Sequence, residues 1–318
     1  MKKFCLAVHG GAGALLPSDF TPEEEERYKI ELKQALDHGY NILKENGSAL
    51  DAVEACVKYL EDCPLFNAGR GSVYNFDGKH EMDASIMCGA TLKAGAVALV
   101  RRVKNPVALA RLVMERSDYV FLCGEGAEQF AEFYNIEMAD ETYFDTPLRL
   151  AQWMKLKGTD IAQLDHTSIS KSDVHTDNQK ENSKFGTVGA VALDLQGNLA
   201  AATSTGGMTN KRFGRIGDSP IIGAGTYANN QTCAVSCTGH GEYFIRSVAA
   251  YDVSALMSYK NLSISEACME VINNISNLNG KGGLIAVDKN GNVAMHFNCG
   301  GMFRGMKDSD GKSEVFIF

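Results

Sequence analysis

FGTVGAVALDLQGNLAAATSTGGMTNKRFGRIGDSP, residues 185–220, breaks abruptly from the polar segment before it. From Thr187 an apolar run alternates, with Val188, Ala190 and Ala192 on one face and Gly189, Val191 and Leu193 on the other, which is the period of a strand. Asp194-Leu195-Gln196-Gly197-Asn198 has turn composition, and Leu199 to Ser204 returns as a second strand. The hairpin therefore begins with a small hydroxyl residue directly behind Gly186. From Gly158 to Lys184 the chain is dominated by Asp, Ser, Thr, His, Lys, Asn and Gln without a periodic core stripe, so a disordered linker is expected over about 158–186. A linker that ends at Thr187 suits a chain that cuts itself between Gly186 and Thr187. The freed α-amino group would then serve as base for the hydroxyl of the same residue. Gly-Thr alone does not single out the place, because it recurs at Gly158-Thr159 and Gly225-Thr226.

Upstream, Phe4 to Val8 reads as a short buried strand running into a glycine loop at His9-Gly10-Gly11-Ala12-Gly13-Ala14. The glycines lack the GxGxxG spacing of a dinucleotide loop, and the next helix starts only after Pro17. Thr21-Pro22-Glu23-Glu24 carries the signature of a capped helix start, with Asn46-Gly47 as its stop. Ser48 opens a second helix with Ala52, Val53, Cys56, Val57 and Leu60 on its buried face. Glu81 to Gly89 and Gly95 to Arg102 form a strand pair, Asn105-Pro106 opens a helix, and Val120 to Cys123 is a short strand. Helices follow from Gly124 and Thr146. Beyond Pro220, Cys233 to Cys237 is a strand, and Thr238-Gly239-His240-Gly241-Glu242 is expected to open one long helix through about Met257. Ser263 caps another, and Gly283 to Asp288 with Asn292 to Phe297 make the last clear hairpin. Periodicity by itself supports α/β or α+β.

Bulk properties exclude several classes. The 318 residues are 45% hydrophobic and 22% charged, enough for a sizeable core, and the formal net charge is -8. No Lys/Arg block offsets that charge, which argues against nucleic acid as a partner. No apolar run approaches a membrane span, and no signal-peptide core follows Met1-Lys2-Lys3. Nine cysteines without CxxC pairs read as reduced core residues of a cytoplasmic protein. His80-Glu81-Met82-Asp83-Ala84 lacks the second His of a zinc motif, so zinc is not expected.

The hairpin has company: HGGAGA at 9–14, CPLFNAGRGSV at 63–73, TSTGGM at 203–208, GRIGDSP at 214–220 and CTGHGE at 237–242. In this order the motifs resemble the plant-type asparaginases, or isoaspartyl peptidases, of the N-terminal-nucleophile hydrolases, over nearly the whole chain. The resemblance implies an α+β fold, a four-layer αββα sandwich, in a single domain over 1–318 that self-cleaves into chains 1–186 and 187–318. It implies hydrolysis of L-asparagine and β-aspartyl dipeptides. Thr187 would be the nucleophile, held by Thr205, with Thr238 and the N–H of Gly239 as oxyanion hole. Gly239 is also expected to begin a helix and so to add a favourable dipole.

The same resemblance makes Arg215 and Asp218, with Gly239, the grip on the substrate's α-carboxylate and α-ammonium, and it puts Asn67 near the nucleophile. Outside that context an Arg-x-x-Asp pair is an ordinary surface salt bridge. Lys211 and Arg212 read as solvated charges. In relatives the carbonyls around Leu60, Glu61, Cys63, Phe66, Ala68 and Arg70 wrap a structural sodium ion, and a homodimer of cleaved αβ units without an organic cofactor is expected. Two stretches depart from the family pattern. Ser117-Asp118-Tyr119 stands where many relatives have Ser/Thr-Pro-His, which bears on potassium response, and Asn298-Cys299-Gly300-Gly301-Met302 stands for Asn-Thr-Glu-Gly-Met. Competing readings are a glycosylasparaginase-like or taspase-like hydrolase, which usually has Asp where Gly186 stands, and a non-catalytic α/β binding protein.

Overall fold

The computed structural model describes residues 3–163 and 186–318. In chain order the elements are β1 (Cys5–Gly13), α1 (Pro22–Lys44), α2 (Ala49–Asp62), β2 (Met82–Cys88), β3 (Ala94–Val100), α3 (Pro106–Arg116), β4 (Phe121–Cys123), α4 (Gly124–Phe133), α5 (Pro147–Leu156), β5 (Val188–Leu193) and β6 (Leu199–Thr205). They continue with β7 (Thr226–Ala228), β8 (Cys233–Gly239), α6 (Gly241–Ser247), α7 (Ala249–Lys260), α8 (Ile264–Asn277), β9 (Gly282–Asp288), β10 (Val293–Phe297), β11 (Gly301–Asp308) and β12 (Ser313–Phe316). The fold is α+β. One sheet runs β12-β11-β1-β5-β6-β2-β3-β4 and the other β10-β9-β8-β7. Every pairing is antiparallel except β3 with β4.

Local chemistry sets the element ends. Thr21 and Glu24 form a reciprocal capping box on α1, Ser263 and Glu266 another on α8, and Ser48 caps α2. The turn between β5 and β6 is organised by buried Asp194. Its Oδ1 accepts from the N–H groups of Gln196 and Asn198, both at 2.9 Å, while Oδ2 accepts from Ala49 N at 3.0 Å at the start of α2. One carboxylate thus closes the hairpin and docks a helix on it.

Strand alternation distributes the core. Leu6 and Val8 of β1 join Val188, Ala190 and Ala192 of β5 in a cluster with α1, α2 and α3. Cys5 and Ala7 point the other way, into a cluster with Val191, Leu193, Ala201, Ile285 and Val287 from both sheets. A third cluster joins β8 and β9 to α7 and α8.

Five expectations change here. Strand β1 does not end at Val8 but continues through the glycines to Gly13, with an irregularity between His9 and Gly11, because β11 supplies a partner along that length. The C-terminal pair β11–β12 has no strand signal in the sequence reading, yet β11 pairs with both β1 and β12. The expected long helix is two, since Val248 adopts φ 50, ψ 46 and separates α6 from α7. Of the expected linker, residues 164–185 lie outside the described residues, but its start is anchored: Asn210 Nδ2 donates to Thr159 O at 3.2 Å and Ile161 O at 2.7 Å, and Gln163 bridges to Thr209. Of the cysteines, six are buried, Cys88 and Cys299 are half-buried, and Cys123 is exposed rather than in the core. Among the described residues no helix is long and apolar enough to cross a membrane.

Candidate active site

Thr187 lies one residue before β5. Because Val188 pairs with Ser204, the register sets Thr187 opposite Thr205. Thr187 Oγ1 donates to Thr205 Oγ1 at 3.1 Å, and Thr205 Oγ1 also accepts from Gly207 N at 3.0 Å. Gly186 is buried against β1: a Cβ on Gly11, whose φ is +111, would sit 2.7 Å from Gly186 N. The glycines of β1 therefore let a backbone pass at van der Waals distance from the Gly186–Thr187 junction.

Asn67 braces the loop that follows β6. Its Nδ2 donates to Gly207 O at 2.8 Å, its Oδ1 accepts from Val73 N at 3.0 Å, and its carbonyl accepts from Gly206 N at 3.0 Å. The amide is thus engaged with the backbone beside Thr205.

Thr238 is buried in β8 and its Oγ1 makes no hydrogen bond to the protein. Gly239 does not begin a helix. It closes β8 at φ +143, where a Cβ would meet Lys281 O at 2.4 Å, and α6 begins two residues later. The Gly239 N–H belongs to the end of a strand, so the helix dipole that the sequence alone suggests does not act there.

Arg215 and Asp218 come together across Gly241, whose virtual Cβ would lie 2.8 Å from Asp218 Oδ1 and 3.0 Å from Arg215 Nη2. Asp218 is buried, its Oδ2 has no partner within the protein, and burial, opposed by the Arg215 charge, pushes its pKa up to about 7. Arg215 is forked onto Glu242, Nε to Oε1 at 2.9 Å and Nη2 to Oε2 at 3.1 Å. Burial works to raise the Glu242 carboxyl, but the Arg215 hydrogen bonds and charge outweigh it and its pKa is lowered. The sequence reading places Glu242 only at a helix start, with no role at the site, although the CTGHGE motif contains it. Lys211 is a correction: it is buried, with Nζ donating to Glu81 O at 2.9 Å beneath Gly207. Burial lowers its pKa. Arg212 is half-buried, its guanidinium 3.7 Å above the Phe76 ring.

The resemblance puts the loop from His9 to Ala14 beside the nucleophile, where Gly11 meets Gly186, but it gives His9 itself no role. Its Nδ1 lies 3.1 Å from the Thr187 carbonyl and its Nε2 2.9 Å from Ser236 Oγ. Ser236 stands two residues before Thr238 in β8, and its Oγ is 2.7 Å from that of Thr203, two residues before Thr205 in β6. Side chains two apart on a strand share a face. The contact therefore aims Thr238 and Thr205 into the same space between the sheets. The available signal was the cluster of hydroxyls at the ends of otherwise apolar strands, Thr203 to Thr205 in β6 and Ser236 with Thr238 in β8.

The loop from Leu60 to Arg70 is rich in carbonyls that face its own glycines. A Cβ on Gly69 would fall 2.4 Å from Glu61 O, and one on Gly71 would fall 2.0 Å from Phe66 O. Carbonyls from both ends of the loop therefore crowd onto its glycines. Two of the carbonyls already accept loop N–H groups, Phe66 O from Ala68 and Ala68 O from Gly71, both at 3.0 Å. Neutral oxygen donors of this kind fit a hard monovalent cation. Among the described residues no cluster of His, Cys, Asp or Glu has the makings of a metal site.

Residues 2–317 match the model of the asparaginase family, and the chain belongs to that family. Among curated proteins it is 52% identical over 305 residues to the isoaspartyl peptidase of Salmonella typhimurium, a match covering 96% of this chain and 95% of the relative. The isoaspartyl peptidase of Escherichia coli is also 52% identical, with 96% and 92% covered. The isoaspartyl peptidase/L-asparaginase of Rattus norvegicus is 46% identical over 287 residues, covering 90% and 80%.

Proposed function

We propose that this protein is an amide hydrolase that cleaves the side-chain amide of L-asparagine and the β-linked peptide bond of β-aspartyl dipeptides, with Thr187 as nucleophile. The observation that carries this reading is the Thr187–Thr205 hydroxyl pair, seated at the Gly186–Thr187 junction. The activity follows the names of relatives at 46–52% identity. A non-catalytic binding protein would need neither the paired hydroxyls nor buried Thr238 and Asp218 atoms without partners in the protein.

Activation would proceed by attack of Thr187 Oγ on the Gly186 carbonyl carbon. The Thr187 nitrogen leaves as the C–N bond breaks and takes up a proton, which gives an ester. Water then hydrolyses the ester to a Gly186 carboxylate and a free Thr187 hydroxyl. In the mature site the Thr187 α-amino group, with an ordinary pKa of about 7.7–8.0, takes the hydroxyl proton as Oγ attacks the substrate. Thr205 orients that oxygen. Thr238 Oγ1–H and Gly239 N–H would donate to the developing oxyanion, where one donor typically contributes about 2.7–4 kcal/mol. The α-carboxylate would take the guanidinium edge of Arg215 that Glu242 leaves free, and the ammonium would face Asp218. Glutamine, one methylene longer, would present its carbonyl out of reach.

In this reading the helices flank two face-to-face sheets as a four-layer αββα sandwich. Residues 1–186 and 187–318 are the two chains of the mature enzyme, and the loop carbonyls of Leu60, Glu61, Cys63, Phe66, Ala68 and Arg70 would hold sodium. Gly69 and Gly71, at which a side chain would strike those carbonyls, support the ion site. Its test is thermal: the melting temperature should rise when choline chloride is replaced by sodium chloride at equal ionic strength. Equal melting temperatures in the two salts would dismiss the ion.

The central test is chemical. Intact mass and N-terminal sequencing should find fragments of residues 1–186 and 187–318, the second beginning at Thr187, and Thr187→Ala should remain one chain without activity. An active protein that stays a single uncut chain would refute the mechanism.

A further inference from the structure

The space between the two sheets is apolar at one end and polar at the other. Away from Thr187 it is filled by Cys5, Ala7, Val191, Leu193, Ile285 and Val287. Beside Thr187 it holds five polar side chains, His9, Ser85, Thr203, Thr226 and Ser236, each at 0% exposure. Buried polar groups are costly unless bonded, and hydrocarbon of the same shape would stabilise this place more cheaply. Here they are bonded in series. Thr187 O is 3.1 Å from His9 Nδ1, and His9 Nε2 is 2.9 Å from Ser236 Oγ. Ser236 Oγ is 2.7 Å from Thr203 Oγ1, which is 2.6 Å from Thr226 Oγ1. Ser85 Oγ lies 2.8 Å from Thr226 Oγ1 and 2.6 Å from Ser219 O. The series starts at the nucleophile's carbonyl and ends on the residue after Asp218.

We propose that His9 is a positioning residue for the nucleophile, the first link of a buried chain, His9–Ser236–Thr203–Thr226–Ser85, that ties the Thr187 carbonyl to the loop carrying the substrate clamp. The inference rests on Thr187 and Asp218 having the roles given above. Its polarity follows from the partners. A carbonyl only accepts, so Nδ1 carries the ring hydrogen, Nε2 accepts, and Ser236 donates. Burial, opposed by the Thr187 carbonyl, lowers the His9 pKa to about 3, which keeps the ring neutral at working pH. Each hydroxyl has one hydrogen, so Thr203 donates to Ser236, Thr226 donates to Thr203, and the single Ser85 hydrogen is shared between Thr226 Oγ1 and Ser219 O. Both ends are carbonyls, and neither gives nor takes a proton in an amide hydrolysis. The chain is therefore a tether and not a proton wire. Gly189, which pairs with His9 across β1 and β5, makes room for it: a Cβ there would fall 2.0 Å from Ser236 Oγ and 2.4 Å from His9 Nε2.

Thr203→Val, which keeps the shape and removes the hydroxyl, is the decisive variant. It should self-cleave and bind L-asparagine with KM within about threefold of the parent, while kcat falls about 10- to 100-fold, the scale of a small misplacement of reacting groups. Thr203→Ser should restore kcat. An unchanged kcat in Thr203→Val, or no recovery in Thr203→Ser, would overturn the proposal. Should Thr203→Val fail to fold, the tautomer of the His9 ring in the wild-type protein, assigned with Ser236→Ala, still decides. In ¹⁵N-histidine spectra at pH 7, the one histidine whose Nε2 resonance shifts in Ser236→Ala must carry its hydrogen on Nδ1, and a hydrogen on Nε2 would overturn the chain. A wild-type protein that leaves L-asparagine and β-aspartyl dipeptides uncut would instead remove the functional reading beneath it.

Discussion

Asp218 concentrates the electrostatics of the site in one carboxyl. Its pKa, ordinarily 3.8, is raised to about 7 because burial penalises the charged form more than the Arg215 charge favours it. Only the ionised form balances a substrate ammonium. KM for L-asparagine should therefore fall as pH rises through about 7 and level off above it, changing about tenfold per pH unit on the acid side. Steady-state kinetics from pH 5 to 8.5, with KM separated from kcat, check this. A KM that is flat between pH 5 and 7 would remove Asp218 from ammonium recognition. For stability the sign reverses. The folded state holds the Asp218 proton more tightly than the unfolded state does, so this group's stabilising contribution is greatest below 3.8 and is lost as pH rises through about 7.

Two helices meet at a residue poorly suited to the junction. Val248 takes φ 50, ψ 46 between α6 and α7, and it is 47% exposed. A left-handed conformation costs an L-residue roughly 1–2 kcal/mol, and branching at Cβ adds to that. Val248→Gly should stabilise the protein by about 0.5–1 kcal/mol, the relief of strain being partly offset by the greater freedom of glycine in the unfolded chain. Denaturant unfolding reads it, and a lower midpoint with unchanged slope would show that Val248 packs better than its exposure suggests. Other boundaries follow local chemistry: the caps at Thr21, Ser48 and Ser263 start helices where the residues alone place them.

The order of the larger sheet has a consequence for the whole molecule. Strand β1, from the part before Thr187, lies between β11 and β5, both from the part after it, while β6 pairs with β2. Cutting between Gly186 and Thr187 breaks no ladder. The two fragments should co-elute in native size exclusion after complete self-cleavage and separate only in denaturant. Fragments that separate in native buffer would contradict the interleaved sheet. Light scattering on the same peak tests the proposed pairing of αβ units, which predicts a mass near twice the 34.4 kDa of one chain.

What the sequence by itself determined was local. The β5–β6 hairpin, its Asp194 turn and the capped helix starts follow from alternation, side-chain length and hydrogen-bonding groups a few residues apart. The motifs singled out Thr187, Thr205, Thr238, Arg215 and Asp218, and the family match bears out the resemblance they carried. The extension of β1 through its glycines and the strands β11 and β12 were decided by tertiary structure, because a glycine-rich segment becomes a strand only when a distant partner supplies the ladder. The same holds for Arg215 forked onto Glu242, Lys211 buried under Gly207, and His9 reaching Thr187 and Ser236. Each depends on atoms that are remote in sequence, and the cost of burying a polar group can be judged only once its partner is in place.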